Sequence, residues 1–350
     1  MPPPLDELVP RCDAPPRCAL EARVVACMII CRDHVRIELA VPAFPPSTPG
    51  QFLQLLCRDP GGDPGARSTG NGPAGAIGPD TRVHEWPANE FPKVVDPDFL
   101  DTQPYLRRPF SIADRWTAQD GSARLAVISR TIGPGTRWLA QLRPGDRLDV
   151  TGPLGRGFRI PSQDAPLLLV GGGVGIPPLL YLARRLHELG RRNATAIFGA
   201  TTRAVLPLAL AAEPPGDGAP ARCIELPGAA PYPAMLTTDD GSLGLKGRVT
   251  EALLRWHERQ PRGALSRPVV FACGPEAMLR AVAELTRRLE YDCQLCIERN
   301  MGCGLGTCLS CVVRARTGAH PSGWRWALAC TDGPVFARDD LLDYGGCGGP

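Results

Sequence analysis

Between Ala19 and about Val150 apolar and polar positions alternate in short β-branched runs broken by turn residues: ARVVACMII, HVRIELAV, QFLQLLC, PFSIAD, RLAVISR and RLDVTG. Alternation with a period of two predicts half-buried strands, and this succession of them predicts a small antiparallel barrel over residues 19–160. Asp59 to Arg82 breaks the series: Gly and Pro dominate there and Ile77 is its only large aliphatic residue. Such a stretch has too little apolar surface to order itself, so 59–104 is expected to be a surface insertion without an assigned role. Beyond Pro166 the texture changes. APLLLV is a continuous apolar run, GGGVGIPP follows, and LLYLARRLHEL has helical spacing. Similar alternation in TAIFGA, GRVTEALLRWHER and PVVFACGPEAMLRAVAELTRRL predicts β–α units on a parallel sheet over 165–292. The last strand candidate, YDCQLCI, leads into a Gly/Cys-rich tail from Met301 to Tyr344, so 293–344 is expected as a third, small unit. That tail is too short and polar to hold a core of its own, a deficit a bound metal would offset. The expected class is therefore β + α/β: antiparallel barrel, parallel-sheet domain and small C-terminal subdomain, after an N-terminal extension over 1–18.

Composition narrows the choice of partners. The 350 residues carry a net charge of +3 with no long run of either sign, which argues against a nucleic-acid or membrane-surface footprint. The N-terminus MPPPLDELVPRC has neither a basic start nor an apolar signal core, and no window offers a membrane span, so a cytoplasmic location is expected. In a reducing compartment the 14 cysteines read better as metal ligands or core thiols than as disulfides.

Cys303, Cys308 and Cys311 are spaced C-x4-C-x2-C, with Cys330 after eighteen further residues, the plant-type pattern for a [2Fe–2S] cluster. Gly302, Gly304 and Gly306 allow the loop to wrap closely and turn backbone N–H groups toward sulfur. The competing reading is a structural zinc site, which usually draws on paired C-x2-C knuckles and does not require glycine at every second position. Cys293 and Cys296 form one further C-x2-C, but three-residue spacing on a strand sends the two side chains to opposite faces, which favours core thiols.

Arg108, Pro109, Phe110 and Ser111 open a barrel strand with an arginine for phosphate or a ring oxygen and a hydroxyl able to meet a flavin nitrogen. Gly133-Pro134-Gly135-Thr136 could cradle a pyrophosphate, and Gly152 to Phe158, GPLGRGF, closes the barrel. Gly171, Gly172, Gly173 and Gly175 follow a buried strand and begin a helix, where backbone amides receive a nucleotide phosphate. The acidic ribose-binding residue of an ordinary dinucleotide fold is missing after the next strand, where Thr201, Thr202 and Arg203 stand, and Arg203 leaves a 2′-phosphate conceivable. Cys273, Gly274 and Pro275 end the PVVFA strand, where a thiol could touch a nicotinamide or simply pack at a tight turn.

The order RPFS, GPGT, GPLGRGF, GGGVGIPPL, TTDDGS (Thr237 to Ser242), CGPEAM, CGLGTCLSC and CTDGPVF resembles the electron-transfer subunit of NAD-linked dihydroorotate dehydrogenase, within the ferredoxin–NADP reductase superfamily. The similarity runs from about Ala19 to Phe336 apart from the insertion. It implies FAD in the barrel, NAD at the glycine loop and a [2Fe–2S] cluster held by Cys303, Cys308, Cys311 and Cys330. It also implies that Arg108 to Ser111 face the isoalloxazine with Ile128, Ser129 and Arg130 on the neighbouring strand, and that Gly135 and Thr136 meet the FAD phosphates. Two features depart from the family: Ser129 stands where Tyr is common, and a long loop precedes Arg107. The resemblance implies an oxidoreductase subunit of pyrimidine biosynthesis that takes electrons from an FMN-containing dihydroorotate dehydrogenase catalytic subunit, in a heterotetramer with two of each, and delivers them to NAD+. An FMN-binding (β/α)₈ barrel needs about 250 residues, which this chain cannot also hold. The rival readings are a reductase subunit of a related complex, of sulfide dehydrogenase, ferredoxin:NADP oxidoreductase or hydrogenase type, and a zinc-stabilised adaptor without enzymatic activity.

Overall fold

The computed structural model describes residues 18–58, 106–162, 164–261 and 267–344. The N-terminal extension and the Gly/Pro-rich insertion lie outside the described residues, apart from Cys18. The first half contains β1 (Cys18–Cys31), β2 (His34–Val41), β3 (Phe52–Leu55), β4 (Arg108–Ser111), β5 (Asp114–Thr117), β6 (Ala123–Arg130), the short helix α1 (Pro134–Leu139) and β7 (Arg147–Leu154). They form one seven-stranded sheet in the order β4-β3-β7-β1-β2-β6-β5, antiparallel throughout. PFSIAD, expected as one strand, is two, and these are the two ends of the sheet. The residues between them roll it up: the Ile112 N–H donates to Gln51 O (3.1 Å) beside β3, while the Ala113 N–H donates to Ala126 O (2.8 Å) on β6. Inward positions such as Val35, Ile37, Leu39, Leu53, Leu55, Leu125 and Val127 make the barrel core, as strict alternation demands.

The second half runs β8 (Leu167–Gly172), α2 (Ile176–Glu188), β9 (Ala194–Ala200), β10 (Ala221–Ile224), β11 (Tyr232–Thr238), β12 (Leu245–Lys246), α3 (Val249–Glu258), β13 (Val269–Cys273), α4 (Glu276–Arg288) and β14 (Asp292–Cys296). The cysteine tail adds β15 (Val312–Arg316), β16 (Trp324–Leu328) and β17 (Val335–Ala337). The large sheet has the order β10-β11-β9-β8-β13-β14-β17, with the five strands from β11 to β14 parallel and both edge strands antiparallel. Leu167 and Leu169 face α2, whereas Leu168 and Val170 face α3 and α4, so continuous apolar runs are buried on both sides. Among the described residues no helix is long and apolar enough to cross a membrane.

The tail holds no separate core. β17 joins the large sheet, β15 and β16 form a hairpin, and Cys311, Val313, Ala327, Cys330 and Phe336 pack into the hydrophobic cluster already built by α3 and α4. Phe52 and Leu154 enter the same cluster from the barrel, which brings the three parts together.

The barrel and the parallel-sheet half are also joined by a polar contact on the other side. Asp114 Oδ2, its side chain 6% exposed, accepts from Arg184 Nη1 of α2 at 2.9 Å and lies 3.6 Å from Arg36 Nη2. Asp114→Ala leaves two half-buried guanidinium groups without this carboxylate, and is expected to lower unfolding free energy by roughly 1–3 kcal/mol in urea titration.

Candidate cofactor sites along the chain

In chain order the parallel strands β8, β9, β11, β13 and β14 occupy the spatial order 3-2-1-4-5, reversing direction between β8 and β13. An open parallel sheet parts at such a reversal, leaving a crevice at the strands' carboxyl ends. Gly172 to Gly175 and Cys273 to Pro275, found separately in the sequence, line its two sides. The loops meet backbone to backbone: a Cβ on Gly175 would collide with the carbonyl of Cys273 and the N of Gly274, and one on Gly172 would come within 2.7 Å of Met278 Sδ. Gly171 is buried at the end of β8 against Phe198, and Gly173 adopts a φ of 53°. Pro275 is exposed at the lip.

Cys273 is buried beneath this crevice, in register with Cys296 on β14. A hydrogen bond with the Cys296 thiol, with burial in support, pushes the Cys273 thiol well above the ordinary range, so its sulfur is a neutral group. Cys293 and Cys296 lie in the two different clusters on opposite faces of the sheet, as three-residue spacing on a strand requires. At the next strand ends the Arg203 side chain pairs with Glu213 at 2.6 Å. The Arg203 backbone N–H donates to Ser242 Oγ (2.8 Å), whose hydroxyl donates to Asp240 (2.6 Å). That hydroxyl, with the Ser242 backbone N–H, holds the Asp240 carboxyl below its usual range.

On the barrel, Arg108 is exposed, Pro109, Phe110 and Ser111 are half-buried, and Phe110 packs on the barrel core. Ile128, Ser129 and Arg130 end β6, which is hydrogen-bonded to β2 and β5 and comes near β4 only across the barrel seam. Ser129 is buried, its hydroxyl without a hydrogen-bond partner among the described residues, while Arg130 is exposed. The Thr136 hydroxyl accepts from the N–H groups of Ile132 (2.9 Å) and Gly133 (3.0 Å) and donates to Gly133 O (3.1 Å). Its side chain therefore shapes the turn, with Gly135 buried at its centre.

The four tail cysteines fall into two pairs. In the first, the Cys303 N–H donates to Cys308 Sγ (3.4 Å), and the N–H groups of Leu305 (3.3 Å) and Cys308 (3.4 Å) donate to Cys303 Sγ. Gly304 and Gly306, with φ of 71° and 95°, give the loop the left-handed turns that aim these donors at sulfur. The Ser310 hydroxyl, with backbone donors in support, holds the Cys308 thiol down at about 6. At Cys303 burial acts to raise the thiol, but the Leu305 and Cys308 N–H groups outweigh it and the net shift is downward. In the second pair, Cys311 and Cys330 are buried at 2% exposure each, and burial first and the adjoining Cys311 thiol second push Cys330 up to about 12. Cys303 is near enough to add to that rise. Among the described residues no three His, Cys, Asp or Glu side chains converge on a point that could hold one metal ion. A two-iron cluster takes two cysteine sulfurs at each iron, which two adjoining pairs can supply. The N–H donors aimed at Cys303 and Cys308 suit an anionic sulfur group better than neutral thiols.

One residue with a bearing on this site had no sequence signal beyond its place in a strand. Gln54 on β3 is fully buried, and neither end of its carboxamide has a hydrogen-bond partner among the described residues, an arrangement that costs about 1–3 kcal/mol. It lies against Gly304 of the cysteine loop.

Comparison with known proteins accords with this layout. Residues 298–342 match the iron-sulfur cluster binding domain of dihydroorotate dehydrogenase B. The chain is 38% identical over 244 residues to the dihydroorotate dehydrogenase B (NAD(+)) electron transfer subunit of Geobacillus thermodenitrificans (strain NG80-2), covering 68% of this chain and 81% of that protein. It is 32% identical over 268 residues to the corresponding subunit of Desulforamulus reducens (strain ATCC BAA-1160 / DSM 100696 / MI-1), covering 74% and 92%. In fold it resembles an NADH-dependent reduced ferredoxin-NADP oxidoreductase structure, with a TM-score of 0.63 over 91% of this chain and 89% of that one, at 23% identity. With identities above 30% over four-fifths or more of these relatives' lengths, the chain belongs to the family of dihydroorotate dehydrogenase B (NAD+) electron transfer subunits.

Proposed function

We propose that this protein is the electron-transfer subunit of a dihydroorotate dehydrogenase that reduces NAD+, with FAD on the antiparallel barrel, NAD in the crevice between β8 and β13, and a [2Fe–2S] cluster on Cys303, Cys308, Cys311 and Cys330. The observation that carries this reading is the pair of cysteine pairs, one cradled by backbone N–H donors and the other sunk in a core shared with the nucleotide half. The bound groups would supply the conversion between a hydride, which carries two electrons together, and electrons moved singly.

The chain's own residues bind and orient. The Ser310 hydroxyl at Cys308 and the backbone N–H groups around Cys303 and Cys308 favour thiolate at those two positions. Arg108 to Ser111 hold the flavin from β4, with Ile128, Ser129 and Arg130 facing them across the seam and Gly135 and Thr136 ordering the phosphate turn. Gly171, Gly172, Gly173 and Gly175 let a nucleotide pyrophosphate approach the backbone, and Cys273, Gly274 and Pro275 form the opposite wall, where a neutral thiol does not add to the nicotinamide ring as a thiolate could. We divide the units at 19–160, 165–292 and 293–344, with the last contributing most of β14 (Asp292–Cys296) and all of β17 to the large sheet.

The name electron transfer subunit, carried by the relatives, implies a catalytic partner. We assign that role to an FMN-containing dihydroorotate dehydrogenase subunit, two of each chain in the complex. A cytoplasmic setting fits the twelve described cysteines, all free thiols. The test is anaerobic co-purification with the FMN subunit followed by dihydroorotate-dependent reduction of NAD+. The complex is expected to carry flavin and two irons per chain and to form NADH, whereas this chain alone should not oxidise dihydroorotate. Zinc in place of iron, or a fully loaded complex inert toward dihydroorotate, would overturn the assignment.

A further inference from the structure

The carboxamide of Gln54 is enclosed between the two regions assigned to redox groups. On β3 the alternation sends Leu53 and Leu55 into the barrel core and Phe52 and Gln54 to the opposite face, where Phe52 enters the cluster shared with Cys311 and Cys330. Gln54 is paired in register with Pro109 of the flavin strand β4, so these two side chains stand on one face of the sheet. Its other flank is the cysteine loop: a Cβ on Gly304 would come within 2.8 Å of Gln54 Cγ and closer still to Nε2. Gly304 thus has two physical constraints, its φ of 71° and the room it leaves for this amide. The side chain is fully buried, and Nε2 and Oε1 both lack hydrogen-bond partners among the described residues. A strand position facing an apolar cluster would ordinarily take Leu or Val, and an amide there is stable only when something meets its donors.

We infer that Gln54 donates a side-chain N–H to the iron–sulfur centre held by the Cys303–Cys308 loop and so raises that centre's reduction potential. The inference rests on the proposed function above, since it needs the cluster that reading places in the loop. The sign follows from charge. Reduction adds an electron to a sulfur-rich anion, and an N–H donor stabilises the more negative form more than the less negative one. Gln54 is a positioning and tuning residue, joined to the flavin strand by its backbone and to the cysteine loop by its side chain.

The test uses the full chain, loaded anaerobically, with Gln54→Met, which keeps the length and removes the donor, and Gln54→His, which keeps an N–H. Cluster potential is read by EPR-monitored redox titration and flavin potential by its absorbance. The Met variant is expected to show a cluster potential more negative than that of the unsubstituted protein, with the flavin potential unmoved, and the His variant to recover part of the shift. If Met abolishes iron loading and His retains it, the donor is needed for binding itself, which supports the contact. A Met variant with full iron content and an unchanged potential overturns the inference, as does loss of iron in both variants, which would make the residue a packing element. Absence of iron from the unsubstituted chain strikes instead at the proposed function.

Discussion

Cys330→Ala protein is expected to keep its flavin and its nucleotide site while losing most of its iron and acid-labile sulfide. Cys330 is 2% exposed and adjoins Cys311, in a cluster that also contains Val313, Ala327 and Phe336. Its replacement removes half of the buried pair and leaves the cradled pair, Cys303 and Cys308, with no complete set of four sulfurs. Loss of a supporting contact alone costs about 10–100-fold in metal affinity, and loss of a direct ligand should exceed that. Cluster-dependent electron transfer to the partner should therefore fall by about 100-fold or more, while reduction of a dye by NADH, which needs only flavin and nucleotide, should persist. The tail should also loosen, because metal binding contributes folding free energy to a segment without an independent core. Cys293→Ala is the matched control: Cys293 is also buried but lies on β14 rather than in the cysteine loop, so iron should be retained. Iron retained at full stoichiometry in Cys330→Ala would remove it from the ligand set.

Gly175→Ala is expected to damage the nucleotide crevice more than any other single methyl group placed in the GGGVG loop. A Cβ there meets the carbonyl of Cys273 and the N of Gly274, which are backbone atoms on the neighbouring strand end and cannot rotate away. Relief requires β8 and β13 to part at the point where they leave room for the ligand. Overpacking of this kind costs roughly 1–3 kcal/mol, and a domain of this size loses about 2–4 °C in Tm for each kcal/mol. The functional effect should be larger than the thermal one: KM for NAD+ should rise while flavin content and iron content stay unchanged. Gly173→Ala is the informative contrast for stability. Nothing lies within 4 Å of a Cβ at Gly173, so its φ of 53° leaves only the left-handed backbone cost of about 1–2 kcal/mol. A KM for NAD+ in Gly175→Ala unchanged from that of the unsubstituted protein would show that the crevice is not the NAD site.

Much of this site was legible because its chemistry is local. C-x4-C-x2-C places three sulfurs within nine residues, and the glycines among them supply the positive φ values found at Gly304 and Gly306. The GGGVG run sits between a buried strand and a helix because an apolar run and a 3.6-residue period flank it. Less local features were read incompletely. PFSIAD has one apolar pattern but two strands, because Ile112 and Ala113 bridge opposite edges of the rolled sheet. Ile128 to Arg130 were expected on a strand neighbouring Arg108 to Ser111, and β6 reaches β4 across the barrel seam rather than by hydrogen-bonded pairing, because closure of the sheet sets which strands meet there. The Thr136 hydroxyl is occupied by its own turn, a competition that a motif does not display.

From the amino-acid order alone came the strand and helix periods, the backbone freedom at the glycine turns and the thiol spacing, all set by interactions reaching over a few residues. Tertiary structure decided what depends on distant segments meeting. It set the 3-2-1-4-5 order that brings the Gly175 turn against the Cys273 strand end, and it grouped four cysteines as two pairs. It also placed β17 on the nucleotide sheet and enclosed the Gln54 amide against Gly304. The physical reason is that burial and strand pairing are properties of the whole packed chain, and their free energy exists only once segments far apart in sequence exclude water together.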